Sequence, residues 1–493
     1  MTQINVADYQ PIFYPKSIAV IGASNRGMGF GSGFLRTHLN YGFKGELYPV
    51  NPKGGEIMGV KAYAAIDDIP FPVDFAAIAI PAGLIPDAIR ACVKKGIKGA
   101  EILASGFKES GPEGQALENE IVEIARAGGL KLIGPNCFGV HSPAVHLTLL
   151  PGGEFSTTPG HVGLISQSGG GACDLVHMSQ GRGLSFSIVI SCGNSCDVDA
   201  TEMIRYFEAD PKTRIIGAYL EGVRDGRAFF NALKSCAQKK PVVIMKGGLS
   251  DEGYRGTMGH TGSMAGTRQA WEGAIKSAGA VMAYDMRDLV ECLMAFNCLE
   301  GYTGGGVGVL AGGGSRAVES LDAATRNGIP VPILDDETSA EIQSFLPDVG
   351  GKGGNPADLF GPGVNAAVMN PIMDVMAKKD EIAHLVMYAN LFGPLNMMRK
   401  MSQQQKEQTD IFQVHQKIAD KAIEIRTDTG KPLSVILLDC ASNPEHSEIE
   451  QGRFAVRYFY ATKGIPCFDS ASQTFSILRR VGDYYRGRDR NGG

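Results

Sequence analysis

Long apolar segments are missing from this chain of 493 residues: nowhere do about 18 consecutive apolar residues occur. The N-terminus also lacks a basic segment followed by an apolar one, which is the pattern of a secretory signal. An excess of charge of one sign is missing too, since 47 Lys and Arg face 52 Asp and Glu. No basic face is therefore available for nucleic acid or an anionic membrane. We expect a soluble, cytoplasmic protein whose partners are small molecules or other proteins.

Paired cysteines of the metal-binding or redox type are also lacking. None of the 10 cysteines belongs to a C-x-x-C pair, and the closest two are Cys192 and Cys196. The glycine-rich stretch around His260 contains no second histidine or cysteine, so the ligand spacing of a metal site is missing there as well. We expect reduced, mostly buried thiols and no metal site.

What the chain does contain is a regular alternation of two kinds of segment. Short β-branched runs such as SIAVIGAS and FAAIAIP are followed by amphipathic stretches of helix length such as IPDAIRACVKKG. This alternation predicts an α/β fold with parallel sheets. Breaks rich in glycine at PGGEFSTTPG and GYTGGG divide the chain into three predicted domains, about residues 1–150, 151–300 and 305–485.

A glycine-rich turn follows the first predicted strand. In SIAVIGASNRGMGFGSGF the strand ends at Gly22, and further glycines lead into a predicted helix. Backbone N–H groups can approach a phosphate at such a turn, at the positive end of the helix dipole. Turns of this composition also occur in α/β domains that bind no nucleotide. The hypothesis of a nucleotide-type ligand therefore depends on the strand that follows.

The end of the second predicted strand narrows the choice of ligand. An NAD site carries an acidic residue about 20 residues after the turn, whereas this strand ends in YPVNPKGG with Lys53 at that place. A lysine there favours a ligand with an additional ribose phosphate, which both NADP and coenzyme A carry. Cys137 in GPNCFG is either a buried thiol or a residue near the thiol end of coenzyme A.

The second predicted domain combines an anion site with a histidine. LISQSGGGACDLVHMSQG predicts a strand, a tight turn and a helix, with Ser168 as N-cap and Gly169 among the first helical residues. Glu221 follows a later strand, and His260 lies between glycines. A phosphate-ready helix start, a carboxylate and an exposed imidazole together predict a histidine that is itself phosphorylated, with the carboxylate fixing its tautomer.

These stretches together carry a family resemblance that runs almost from end to end. The chain resembles the α subunits of ADP-forming acetyl-CoA synthetases, in the NDP-forming acyl-CoA synthetase superfamily that includes succinyl-CoA synthetase. The stretches that carry the resemblance are YPKSIAVIGAS, YPVNPK, DFAAIAIP, GPNCFGV, LISQSG, GNSCDVD, YLEGVRD, GHTGSMAG and GGNPADL. The resemblance implies a Rossmann-like CoA-binding domain followed by two flavodoxin-like domains of the succinyl-CoA-synthetase type.

The resemblance also implies an acid–thiol ligase that reversibly makes acyl-CoA, ADP and phosphate from a carboxylate, CoA and ATP. The reaction would pass through an acyl phosphate and a phosphorylated His260, with Glu221 as the partner of the imidazole. The residues implied to frame the phosphate are Ser166, Ser168, Gly169 and Gly170. The residues implied to line the CoA site are Gly22, Ser24, Asn25, Arg26, Lys53, Pro81, Ser105, Asn136 and Cys137.

A second subunit is implied because no ATP-grasp module is recognisable in the sequence. The resemblance places ATP, ADP and Mg²⁺ mainly on a separate β subunit, in an α2β2 assembly, and makes acetate the default carboxylate. The third domain resembles the additional α/β domain of the family, and the sequence assigns no chemistry to it.

The chain departs from the family pattern at the phosphate turn. The family commonly has SQSGA where this chain has SQSGGG, so Gly170 makes the first helical turn about 1 kcal/mol less stable than alanine would. Two other hypotheses stay open. An NADP-dependent oxidoreductase would explain Lys53 but leaves Ser168, Glu221 and His260 without a role. A non-catalytic CoA-binding or acyl-sensing protein would keep the fold without turnover.

Overall fold

The computed structural model describes residues 4–25, 29–149, 154–250, 252–253, 267–347, 350–359, 365–391, 393, 395–396, 411–438 and 444–491. The chain divides into two compact units. One comprises Met1–Gln180 and Ser185–Leu293, and the other comprises Gly181–Leu184 and Met294–Gly493. No described helix is both long enough and apolar enough to cross a membrane.

The first unit begins with a parallel sheet. Its strands and those of a neighbouring hairpin are β1 (Ser17–Ile21), β2 (Glu46–Val50), β3 (Gly55–Ile57), β4 (Val60–Ala62), β5 (Phe75–Ile78), β6 (Gly99–Ile102) and β7 (Lys131–Ile133). The helices of this part are α1 (Gln10–Phe13), α2 (Phe30–Tyr41), α3 (Ile85–Lys95) and α4 (Pro112–Ala127). The strand order is β2-β1-β5-β6-β7, and β3 pairs with β4 separately. Both β1 and β5 are buried along their whole length, as expected for a parallel sheet covered on both faces.

A second sheet completes the first unit. Its strands are β8 (Gly139–His141), β9 (Val162–Ser166), β10 (Phe186–Ser191), β11 (Ile215–Leu220), β12 (Val242–Lys246) and β13 (Val281–Ala283). The helices are α5 (Gly169–Gln180), α6 (Ala200–Ala209), α7 (Gly226–Ala237), α8 (Arg268–Ser277) and α9 (Met286–Cys298). The strand order is β13-β12-β11-β9-β10-β8, and only β8 runs antiparallel to its neighbour.

The second unit has a parallel sheet of its own. Its strands are β14 (Gly306–Ala311), β15 (Ala357–Asp358), β16 (Ile382–Tyr388), β17 (Leu433–Ile436) and β18 (Cys467–Phe468). The helices are α10 (Gly314–Arg326), α11 (Asp336–Ser344), α12 (Ala366–Ala377), α13 (Ile411–Thr429), α14 (Ser447–Thr462) and α15 (Ala471–Asn491). The strand order is β15-β14-β16-β17-β18.

All three sheets are wound in the same way. In each, the first of the parallel strands lies inside the sheet, the second lies on one side of it, and the later parallel strands follow on the other side. The winding reverses between β1 and β5, between β9 and β11, and between β14 and β16. Open α/β sheets bind ligands at these switch points, outside the carboxyl ends of the strands. The predicted α/β architecture is confirmed, with β8 as an antiparallel addition, and the three domain boundaries stay a prediction.

A buried carboxyl group on β6 connects the two sheets of the first unit. Glu101 is fully buried, and its Oε2 accepts a hydrogen bond of 3.2 Å from the Val140 N–H on β8. No described group bonds to Oε1. Burial raises the pKa of the Glu101 carboxyl to about 8. The folded protein therefore holds this proton over a range of pH in which the unfolded chain releases it.

We predict that Glu101→Gln flattens the dependence of thermal stability on pH. Because the pKa is raised from 4.5 to about 8, the wild-type protein loses stability as the pH rises through that range. Glutamine keeps the shape and does not ionise, so the variant should be more stable than wild type at pH 8.5, by roughly 1–3 kcal/mol. Melting temperatures measured from pH 5 to 8.5 test this. The exposed Glu123→Gln on α4 is the control, and equal slopes for both variants would contradict the prediction.

Candidate functional site

The turn after β1 brings backbone segments into close contact at the first switch point. Gly22 has φ of +98°, and a Cβ atom there would lie 2.3 Å from the carbonyl oxygen of Ala79, just after β5. The Ser32 hydroxyl on α2 accepts a hydrogen bond from the Ser24 N–H (2.9 Å) and donates to the Ser24 carbonyl (2.8 Å). The turn is thereby fixed against the first turn of α2.

Asparagine side chains hold the loops around this turn. The Asn25 amide donates to the Glu56 carbonyl (2.8 Å), so this predicted CoA residue has a structural partner. Asn51 donates from Nδ2 to the Ala23 carbonyl (2.8 Å) and accepts at Oδ1 from the Lys53 N–H (3.1 Å). Lys53 itself is exposed. Sequence reasoning missed Asn51, although the Asn-Pro pair after β2 was a signal for a turn.

Other predicted CoA residues lie at the carboxyl edge of the same sheet. Pro81 and Ser105 are exposed, and Asn136 is partly buried with its N–H donating to the Ala104 carbonyl (2.9 Å). Arg26 lies outside the described residues. The part of all these residues in binding CoA stays a prediction.

The prediction for Cys137 needs a correction. The residue is 2% exposed and belongs to the hydrophobic core, where its thiol donates to the Ile102 carbonyl at 3.4 Å. Burial raises the pKa of this thiol well above its usual range. An inert, inward-pointing thiol does not line a cleft, so a place beside the thiol of CoA is not retained.

The turn after β9 forms the start of α5. The buried Ser166 hydroxyl donates to the Ser168 carbonyl (2.7 Å) and accepts from the Ser168 N–H (3.2 Å). The Ser168 hydroxyl accepts from the Gly171 N–H (3.1 Å), which is the geometry of a helix N-cap. The first amides of α5, at Gly169 and Gly170, have no acceptor within the helix. Together with the helix dipole, they form a site suited to an anion.

The loop of the first sheet touches this helix start directly. A Cβ atom on Gly169 would lie 2.8 Å from the ring of Phe138, whereas one on Gly170 would meet nothing within 4 Å. Phe138 follows Asn136 in the GPNCFG loop, and its N–H donates to the Ser191 hydroxyl at the end of β10 (3.0 Å). The predicted CoA cleft and the predicted phosphate turn therefore share a wall.

Glu221 follows β11, on the other side of the second switch point. It is 8% exposed, and its Oε1 accepts a hydrogen bond of 3.2 Å from the Tyr219 hydroxyl. Burial, followed by the charge of Glu221, raises the pKa of Tyr219 to about 12, so the phenol keeps its proton. The Oε2 atom of Glu221 is buried and has no partner among the described groups. This oxygen is available to a donor such as an imidazole N–H.

Gln167 fixes the backbone at this point. Its Oε1 accepts from the N–H groups of Glu221 and Gly222, and its Nε2 donates to the Gly222 carbonyl (3.0 Å). Gln167 thus ties the turn after β9 to the end of β11. No local sequence signal marks this role, because the contact spans 54 residues.

His260 lies outside the described residues. The described chain leads toward it from the carboxyl end of β12, the strand beside β11, and resumes at Thr267, which caps α8 through the Ala270 N–H. The structure thus brings together Ser166, Ser168, Gly169, Gly170 and Glu221, and the role of His260 stays a prediction.

Two family models match the first unit. Residues 16–143 match a CoA binding domain, and residues 159–296 match a succinyl-CoA-ligase-like flavodoxin domain. Together the two matches cover the glycine turn after β1 and the phosphate turn after β9.

Curated relatives extend the similarity along the chain. The α subunit of an ADP-forming acetate–CoA ligase I of Pyrococcus furiosus is 35% identical over 386 residues, covering 77% of this chain and 82% of that relative. An ADP-forming acetate–CoA ligase I of Archaeoglobus fulgidus is 36% identical over 353 residues, or 71% of this chain. The chain spans only 50% of that second relative, so about half of its length has no counterpart here.

A solved structure matches the whole chain. A dinucleotide-forming acetyl-coenzyme A synthetase 1 of Ca. Korarchaeum cryptofilum, in complex with phosphate and ADP, has a TM-score of 0.81 at 29% identity, covering 98% of this chain and 97% of that one. The fold, the family models and the relatives all indicate the same family. The chain accordingly belongs to the family of ADP-forming acyl-CoA ligases.

Proposed function

We propose that this chain is the α subunit of an ADP-forming acyl-CoA synthetase. With a separate ATP-grasp β subunit, it converts a carboxylate, CoA and ATP into acyl-CoA, ADP and phosphate, and runs equally in reverse. The observation that carries this proposal is the contact between Phe138 and Gly169, because it joins the wall of the CoA cleft to the anion-binding start of α5. A thioester and a phosphate can then react at one place.

In the proposed mechanism, phosphate passes between the nucleotide and the carboxylate through His260. The neutral imidazole attacks the terminal phosphorus of ATP as the bond from that phosphorus to the ADP oxygen breaks, and ADP leaves. Oε2 of Glu221 accepts the N–H on the other ring nitrogen, which fixes the tautomer. Phosphoryl transfer from His260 to the carboxylate then gives an acyl phosphate. The CoA thiolate displaces phosphate from it, and the amides of Gly169 and Gly170 stabilise the departing anion.

A partner subunit is part of this proposal. Two relatives from Pyrococcus furiosus, ADP-forming ligases I and II, are named as α subunits, and the half of the Archaeoglobus fulgidus relative that this chain does not cover leaves room for a second component. We place ATP, ADP and Mg²⁺ mainly on that component and propose an α2β2 assembly in the cytoplasm.

The carboxylate is proposed to be acetate, following the relatives named above. Other relatives are named for different acids, a 4-hydroxybutyrate–CoA ligase of Nitrosopumilus maritimus and a trans-feruloyl-CoA synthase of an unknown prokaryote. A panel of carboxylates with the reconstituted complex, followed by CoA thioester formation, identifies the substrate.

We predict that His260 carries the phosphoryl group. Incubation with labelled acetyl phosphate, or with labelled ATP and the β subunit, should give an acid-labile, base-stable label on the wild-type chain. His260→Asn should abolish the label, and Glu221→Gln should slow its formation about 100-fold because the imidazole loses its orienting acceptor. The exposed His177→Asn on α5 is the control. Label that persists on His260→Asn would refute the assignment.

We predict that Lys53 recognises the 3′-phosphate of CoA. Lys53→Met should weaken the binding of CoA about tenfold and leave the binding of dephospho-CoA unchanged, because only CoA offers the phosphate to the ammonium. Calorimetric titrations measure both affinities. Lys98→Met is the matched control, because Lys98 is exposed and directly precedes β6, at the amino ends of the strands of the same sheet. Saturable binding of NADPH without binding of CoA would instead support the oxidoreductase.

We predict that neighbouring glycines at the start of α5 respond in opposite ways. Gly170→Ala places a methyl group in open space, so it should stabilise the protein by about 1 kcal/mol and leave phosphorylation intact. Gly169→Ala places the methyl group against the Phe138 ring, so it should destabilise by about 1–3 kcal/mol and slow phosphorylation. Thermal unfolding and the labelling assay measure both effects. Identical behaviour of the two variants would show that Phe138 does not form the shared wall.

A further inference from the structure

A buried lysine ends β12 and has no part in the mechanism described so far. Lys246 is 4% exposed, its ammonium donates to the Gly247 carbonyl, and it lies 5.3 Å from the ring centroid of Trp271 on α8. Lysine is almost never buried unless a partner compensates its charge. A carbonyl and an aromatic face are weak compensation for a full positive charge, so the position of this ammonium calls for a further reason.

Glu221 follows the end of β11, the strand that pairs with β12. The register pairs Lys246 with Leu220, so the ammonium stands at the same edge at which Glu221 leaves β11. Burial lowers the pKa of Lys246 to about 8, and the charge of Glu221 acts in the opposite direction. The two side chains therefore interact electrostatically across the ends of neighbouring strands.

Two other charged groups near β12 have partners of their own. Asp225 caps α7 through the N–H groups of Arg227 and Ala228, and Arg268 pairs with Glu272 on α8 at 2.8 Å. The titratable groups on the elements packed against β12, within the described chain, are Tyr219, Glu221, Asp225, Arg227, Lys234, Cys236, Glu252, Arg268, Glu272, Lys276, Tyr284 and Asp285. Among them only Glu221 acts on the pKa of Lys246.

We propose that Lys246 is a positioning residue of the phosphoryl-transfer site, whose buried ammonium offsets the negative charge that a phosphoryl group brings beside the Glu221 side chain. The proposal rests on the function proposed above. A phosphorylated imidazole bonded to Glu221 would put two like charges in a poorly solvated place, where their repulsion is strong. A fixed cation on the adjacent strand lowers that repulsion.

The test is the pH profile of phosphoenzyme formation. The full chain is incubated with labelled acetyl phosphate, without CoA, between pH 6 and 9.5. In the wild type, the rate should fall as Lys246 loses its proton near pH 8. Lys246→Met should be roughly 10- to 100-fold slower at pH 7 and should have lost this alkaline fall. Lys246→Arg should restore the rate and carry it to higher pH, because arginine does not titrate there.

The matched control is Lys240, which lies before the other end of β12. Its ammonium donates to the carbonyls of Phe207 (2.5 Å) and Asp210 (2.7 Å), so Lys240→Met should cost stability and leave the shape of the pH profile unchanged. Melting temperatures of all variants report folding independently of rate.

Several outcomes would overturn the proposal. A wild-type rate that stays flat through pH 9.5 would do so, whether or not the variants fold. A Lys246→Met protein that is slow but keeps the alkaline fall would show a merely structural role, and one that matches the wild type would show no role. Label retained by His260→Asn would instead overturn the proposed function, and this inference with it.

Discussion

Close approach between chain segments at the carboxyl edges of the two sheets of the first unit is the constraint on which the predicted site depends. Where the winding reverses, the turn from the first strand must start a helix beside the end of a neighbouring strand. Gly22 meets that requirement because a Cβ atom there would lie only 2.3 Å from the Ala79 carbonyl oxygen, a space that no side chain could share. Gly169 meets it against Phe138. Gly22 and Gly169 are thus steric requirements, and the helix start at Gly169 is suited to an anion.

The two sheets of the first unit keep a fixed relation to each other through the GNSCDVD segment. The N–H of Asn194 donates to the Pro135 carbonyl (2.9 Å), that of Cys196 to Gly134 (2.9 Å), and that of Val198 to Leu132 (3.1 Å). These bonds run along the GPNCFG loop, and β8 then enters the second sheet beside β10. Because the coupling is made by backbone, it holds the cleft and the phosphate turn together irrespective of most side-chain changes.

The sequence predicted the elements that depend on local pattern. The alternation of apolar strands and amphipathic helices predicted all three parallel sheets, and the serine-glycine turn predicted the cap at Ser168, because both follow from periodicity and capping chemistry. The rest depends on contacts between distant segments. Nothing local distinguishes the thiol of Cys137 from one that lines a cleft, or marks Gln167 and Ser32 as residues that hold the turns. The Asn-Pro pair predicts a turn at Asn51 but not the contact of its side chain with the Ala23 carbonyl.

The charges around the proposed phosphorylated histidine explain why Lys246, which no local sequence pattern marks, matters for the proposed function. A histidine that carries a phosphoryl group must accept and release that group with similar ease. Several fixed cations beside it would bind the group too tightly for release. In the described chain, the site offers the partial charges of the α5 amides, the carboxylate of Glu221 and the buried ammonium of Lys246. Because the pKa of Lys246 is lowered to about 8, its ammonium loses its proton more readily than that of an exposed lysine. If the proposed function holds, dipoles and one such cation, opposed by one carboxylate, would bind a phosphoryl group without making its departure slow.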